Sequence, residues 1–172
     1  TDNDCLSDFV DVFPEAVIVQ IHRDPFRAVT SSCRIQQVIN EPHIAAGARC
    51  GDAEYLAHVI TKTAPQAEAL VHMSQSRPDL VTNVRYADLM ADPAATIGAL
   101  EKRLELPGCD DAPRRVAGFL DRQRSGGRAA PPAAYDNYGA TPALVHSEPA
   151  FARYIAAFEI PTEHERVSTP RG

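Results

Sequence analysis

An arginine at the end of an apolar run, with a serine eight residues further on, can hold a phosphate. The run is Ile18-Val19-Gln20-Ile21-His22, the arginine is Arg23, and Asp24-Pro25 then opens a helix that carries Ser31 in its second turn. A guanidinium meets a phosphate through two parallel N–H···O bonds, and a hydroxyl adds a further donor. On a helix starting at Pro25, Arg27, Ser31 and Arg34 share one face at i, i+4 and i+7. That face is polar and basic, while Phe26, Val29 and Cys33 turn the other way. Open α/β sheets bind ligands at the carboxyl ends of their strands, which is where Arg23 falls. Helix N-termini add free N–H groups that favour anions. The same residues also fit a solvated basic helix face with Arg23 in a salt bridge.

Tyr86 ends a second β-like run, Leu80 to Tyr86, and could stack on a flat ring or simply pack at a strand end. Asp88 and Asp92 read as helix caps rather than catalysts. The stretch Arg122-Gln123-Arg124-Ser125-Gly126-Gly127-Arg128 is basic, and its paired glycines would let backbone amides approach an anion. It fits a flexible surface loop equally well. His22 either orients Arg23 or caps the sheet edge. His43, His58, His72, His146 and His164 show no spacing that suggests a metal or a triad. Cys5, Cys33, Cys50 and Cys109 have no CxxC spacing and read as free thiols in a reducing compartment, so no metal is expected.

The elements that must position these residues follow from local signals. Leu6, Phe9, Val10 and Phe13 repeat at helical spacing, and Pro14 stops that helix. Residues 16–22 form a continuous apolar run, the pattern of a parallel strand buried on both faces. Asp24 suits an N-cap and Pro25 the first helical position, with the helix running to about Asn40. A loop around Gly47–Gly51 leads to a helical stretch from about Asp52 to Ser76. Its apolar stripe is Leu56, Val59, Ile60, Ala67, Leu70 and Val71, and Pro65 is expected to kink or divide it. Asp92-Pro93 repeats the cap-plus-proline opening for a helix to about Glu105, and Pro107-Gly108 breaks it. Residues 113–124 read as a helix, 125–142 as a loop and 149–159 as a last helix. The tail from Glu163 reads as frayed. The order strand–helix–helix–strand–helix is an α/β pattern.

These motifs resemble sulfotransferases that use 3′-phosphoadenosine 5′-phosphosulfate (PAPS). That family carries Arg-Asn-Pro or Arg-Asp-Pro at a strand end with Ser eight positions after the Arg, as Arg23 and Ser31 do here. The approach Phe13-Pro14-Glu15-Ala16, then Val17-Ile18-Val19, resembles a bacterial branch of the family. So does Tyr86-Ala87-Asp88-Leu89-Met90-Ala91-Asp92-Pro93, where the family has Glu in place of Ala87. The segments Tyr135 to Pro142 and Phe151 to Ile160 are similar to that branch's tail. The resemblance implies a P-loop-NTPase-like parallel sheet flanked by helices, with Arg23 and Ser31 on the 3′-phosphate and Tyr86 beside the adenine. It implies Arg124 and Arg128 in a basic loop that closes over the same phosphate. PAPS is then the co-substrate, and a small molecule with a hydroxyl or amine is the acceptor.

The family's Gly-rich phosphosulfate loop and the branch's Lys-x-Pro-x-His segment, whose His is the expected base, do not occur in these residues. The expectation is therefore one sulfotransferase domain over 1–172 represented by its C-terminal portion, with the catalytic base upstream of Thr1. A non-catalytic nucleotide-binding remnant or interaction module stays open, as does a P-loop kinase relative.

Composition sets the outer bounds. The chain has 172 residues, 44% of them hydrophobic, enough for a real core. With no Trp, that core must rest on Ala, Val, Leu and Ile. A net charge of −6 argues against a general nucleic-acid partner. No apolar run approaches the roughly 20 residues needed to span a bilayer. A cytoplasmic protein is expected.

Overall fold

The structure, a computed structural model, describes residues 4–40, 51–106, 111–125 and 138–162. Its elements are α1 (Asp4–Val12), β1 (Ile18–His22), α2 (Pro25–Asn40), α3 (Asp52–Ser76), β2 (Val81–Arg85), α4 (Tyr86–Ala91), α5 (Pro93–Arg103), α6 (Ala112–Ser125), α7 (Pro142–His146) and α8 (Pro149–Phe158). The class is α/β and helix-rich, with β1 and β2 paired in parallel. Parallel neighbours need a crossover, which α2 and α3 supply. The Ile18 N–H donates to the Leu80 carbonyl at 2.7 Å, just before β2 begins.

Contacts divide the chain into two units, Thr1–Asn83 with Asp136–Gly172, and Val84–Tyr135. The first holds the core. Phe26, Val29 and Cys33 of α2 meet Leu56, Val59 and Ala67 of α3, with Val145, Phe151, Tyr154 and Ile160 closing from the C-terminal helices. Helical spacing builds the seam: Phe26, Val29 and Cys33 recur at three and four residues, Leu56 and Val59 at three with Ala67 two turns further on, and Phe151 and Tyr154 at three. Burial pushes the free Cys33 thiol up to about 11. In the second unit α4 packs on α5 and α5 on α6. There Ala112 is buried, and α4 and α5 bury no residue fully.

Four expectations change. β1 is not buried on both faces: Gln20 and His22 are inside, while Val17, Val19 and Ile21 are exposed. Pro65 does not divide α3, which runs 25 residues through it. Proline removes one ladder bond, but the packed stripe on either side holds the helix together. Tyr86 is not the last residue of a strand; β2 ends at Arg85, and Tyr86 begins α4. Within the stretch expected to be loop, Thr141 caps the short helix α7, its side chain accepting from the Leu144 N–H at 3.2 Å.

The entry to α7 is a tight turn. Tyr138 and Gly139 both take positive φ, 53° and 73°, the left-handed region that glycine adopts freely and tyrosine does not. Tyr138 is held there by burial, by its ring 5.8 Å from that of Tyr55, and by a hydrogen bond from its hydroxyl to Gln37. At the far end of α8, Glu159 turns left-handed and the Ile160 N–H reaches back to the Ile155 carbonyl at 3.1 Å. That closure folds Ile160 into the core. The Gly47–Gly51 loop up to residue 50, Pro107-Gly108 and the tail from Glu163 lie outside the described residues.

Candidate functional site

Arg23 follows the last residue of β1 and is half-buried. The residues on either side of it are almost wholly enclosed, His22 and Asp24 at 1% exposure each. Two buried polar side chains flanking one arginine need partners, because an unpaired buried polar group costs roughly 1–3 kcal/mol. Both have them.

Asp24 caps α2. Its Oδ1 accepts from the Phe26 N–H at 2.9 Å, and its carbonyl takes the Arg27 and Ala28 N–H groups. The same Oδ1 lies 2.7 Å from His146 Nε2 on α7. The Asp-Pro dipeptide explains the cap locally: the aspartate satisfies a free N–H and the proline presets the first helical φ. The contact to His146, from far along the chain, explains why the carboxylate tolerates full burial.

His22 is enclosed by α8. Its ring stacks on Phe158 with centroids 3.7 Å apart. Its Nδ1 meets the Tyr154 hydroxyl at 3.0 Å and its Nε2 meets Asn83 Oδ1 at 2.9 Å. Burial lowers its pKa, and the Asn83 hydrogen bond offsets part of that. A neutral imidazole follows. Burial also pushes the Tyr154 phenol up to about 12, against a hydrogen bond from the Arg23 backbone that favours the phenolate.

Beside Arg23 lies a cleft of about 160 Å³ between α2, α3 and α8. Its walls are apolar at Val29, Leu70 and Phe151, with Ser32, Gln66 and Tyr154 supplying polar atoms. From α2, Pro25, Ala28, Val29 and Ser32 line this side, whereas Ser31 is exposed and does not. Arg27 is half-buried with its guanidinium 5.6 Å from the Phe26 ring centroid, and Arg34 is exposed. α2 thus carries two different faces past Arg23: the polar Arg27/Ser31/Arg34 face anticipated from the spacing, and a largely apolar cleft side on which Ser32 is the hydroxyl.

The remaining candidates belong to the second unit. Tyr86 is half-buried at the first position of α4, next to Arg85, which pairs with Asp88 at 2.7 Å. Arg124 is in the last turn of α6, and its side chain lies outside the described residues, as does Arg128 entirely. Sequence reasoning missed Tyr154, Asn83 and His146. A signal existed for the first two: a histidine inside an apolar strand must find partners for both ring nitrogens. Among the described residues no group of His, Cys, Asp and Glu is placed to hold a metal ion. Among them, too, no helix is long and apolar enough to cross a membrane.

A parallel strand pair with a capped helix and a supported arginine at the strand end places the chain among α/β proteins that present a cation at a sheet's carboxyl edge. The chain belongs to the sulfotransferase family, whose profile its sequence matches over residues 4–111. The matched span includes Arg23, Ser31 and Tyr86, and leaves out Arg124, Arg128 and the segments after residue 111. No curated protein and no solved structure matches the chain. The family's chemistry is sulfuryl transfer, with a small molecule as acceptor.

Proposed function

We propose that this chain provides the 3′-phosphate and adenosine grip of a PAPS-dependent sulfotransferase with a P-loop-like sheet. The observation that carries the reading is Arg23, set at the end of β1 between two buried and fully partnered side chains, with Ser31 exposed eight residues on within the matched span. Arg23 takes two oxygens of the 3′-phosphate, Ser31 donates a third hydrogen bond, and Tyr86 lies against the adenine. The reaction breaks the bond between sulfur and the 5′-phosphate oxygen and forms one to an acceptor hydroxyl or amine, leaving 3′-phosphoadenosine 5′-phosphate (PAP). The groups that act on sulfur are a base at the acceptor and a cation at the leaving phosphate. They belong to a portion of the enzyme outside these residues, and a cytoplasmic setting suits the scattered cysteines. A non-catalytic nucleotide-binding module is the second reading, favoured by the lack of a Gly-rich phosphosulfate loop in this sequence.

Calorimetric titration with PAP and with 5′-AMP tests the reading. PAP is expected to bind weakly and 5′-AMP more weakly still, because the 3′-phosphate alone finds its site. Equal or absent binding of both would remove the assignment. A radiolabelled sulfate-transfer assay on the 172 residues should show no turnover, and adding the upstream half should restore it. Failure to restore it favours the binding module.

A further inference from the structure

We infer that Tyr154 is a positioning residue for Arg23, held in that role by His22 and Asn83. The inference rests on the reading of Arg23 as a phosphate ligand and adds to it the means by which the arginine is aimed.

The hydrogen bonds form a chain with one direction. Asn83 Nδ2 donates to Ser74 Oγ at 2.7 Å, which leaves Asn83 Oδ1, an acceptor, facing His22 Nε2 at 2.9 Å. The proton of the imidazole is therefore on Nε2, and Nδ1 is an acceptor. The Tyr154 hydroxyl, 3.0 Å from Nδ1, must donate to it. Its oxygen lone pairs then receive the Arg23 backbone N–H, on a side chain that lines the same cleft as Arg23. Asn83, His22 and Tyr154 each donate one hydrogen bond and accept one along the chain. The ring of Tyr154 is fixed as well, buried at 6% exposure and packed edge-on against Phe158 at 5.2 Å.

This matters because Arg23 lies one residue past the end of β1, where ladder bonds stop and a backbone N–H would otherwise be left to water. Holding that N–H fixes the backbone dihedrals from which the guanidinium departs. The restraint comes from α8, 132 residues along the chain from His22. A bidentate ligand gains most from such fixing, since both N–H···O bonds depend on one orientation.

Tyr154→Phe removes the hydroxyl and keeps the ring. Two readouts on the full chain separate aiming from general packing. By NMR, exchange of the Arg23 amide with solvent should quicken by about tenfold in Tyr154→Phe, the loss of one hydrogen bond. The ¹⁵N shifts of His22 in the unaltered protein should show the proton on Nε2. By calorimetry, Tyr154→Phe should weaken PAP about fivefold and leave 5′-AMP unchanged. Asn83→Ala, at an exposed position, should shift both readouts the same way to a smaller extent and serves if Tyr154→Phe fails to fold. An unaltered Arg23 amide, a proton on Nδ1, or equal weakening of PAP and 5′-AMP each overturns the inference. Arg23→Ala is the separate control: if it leaves PAP binding intact, the phosphate reading fails, while the amide exchange still reports whether Tyr154 holds Arg23.

Discussion

Two Asp-Pro pairs open two helices in this chain, and they differ in everything except the opening. Asp24 of α2 is buried, and its Oδ1 serves both the Phe26 N–H and His146. Asp92 of α5 is exposed and caps with one bond, accepting from the Ala95 N–H at 2.9 Å. The first sits in a unit with a continuous core, the second in a unit where α4 and α5 bury no residue fully. A capping dipeptide therefore states where a helix begins and nothing about what its neighbours must hold. Arg23 stands beside the built cap, whereas Tyr86 starts a helix with no buried residue.

Substitutions can break that comparison. Phe26→Ala, at the base of the built site, should cost about 3–5 kcal/mol in urea unfolding. Leu100→Ala, half-buried on α5, should cost about 1–2 kcal/mol because less apolar surface is lost. Similar losses would mean the second unit is as tightly built as the first. Asp24→Ala leaves a buried N–H and His146 without their acceptor and should cost about 3 kcal/mol, against about 1 kcal/mol for Asp92→Ala. Equal costs would show that the His146 contact adds nothing to the cap.

Binding sharpens the contrast at the arginine itself. Arg23→Ala should weaken PAP by about 1.5–3 kcal/mol, a charge-assisted contact, and Arg34→Ala by under about 0.5 kcal/mol. Calorimetry on both variants checks this, and equal effects would move the site further along α2.

The smallest expected effect is a pH dependence. His22 has its pKa lowered by burial, so the unfolded chain binds its proton more readily than the folded one. Stability from this residue is complete above the ordinary value of 6.5 and is lost as pH falls through 6.5 toward the lowered value. Unfolding of the unaltered chain and of His22→Gln should converge in pH dependence only if His22 does not titrate this way.

How much of this was legible in the sequence follows from the range of each interaction. The strand, the helix from Pro25 to Asn40 and the Asp24 cap are local; the helix and its cap fall where the spacing put them, and the strand, expected over 16–22, begins two residues later at Ile18. The α3 stripe was equally plain, because periodicity states which face turns inward. The partners of Asp24 and His22 were not legible. They sit 122 residues from Asp24, and 61 and 132 residues from His22, and neither composition nor period carries that information. The strand ending at Tyr86 failed by one residue, since nothing local separates a strand's last position from the first of the helix that follows. Arg23 and Ser31 were singled out by their spacing and by the family resemblance, but that Ser32 rather than Ser31 lines the cleft needed the helix in place.

One feature of β1 carries a consequence for folding fidelity. Its polar residues, Gln20 and His22, point inward, and its apolar residues, Val19 and Ile21, point outward. Gln20 is buried with neither amide atom paired. Hydrophobic energy alone would favour the opposite alignment, because a slip of one residue exchanges the two faces. The native alignment is held instead by the polar anchors at the strand's end, His22 between Asn83 and Tyr154. Local hydrophobic preference and the polar pairing of His22 thus pull on β1 in opposite directions, a conflict between local and global choice. Should those anchors go, as in His22→Ala, the alternative register becomes competitive, and Arg23 would then leave the sheet on the wrong side.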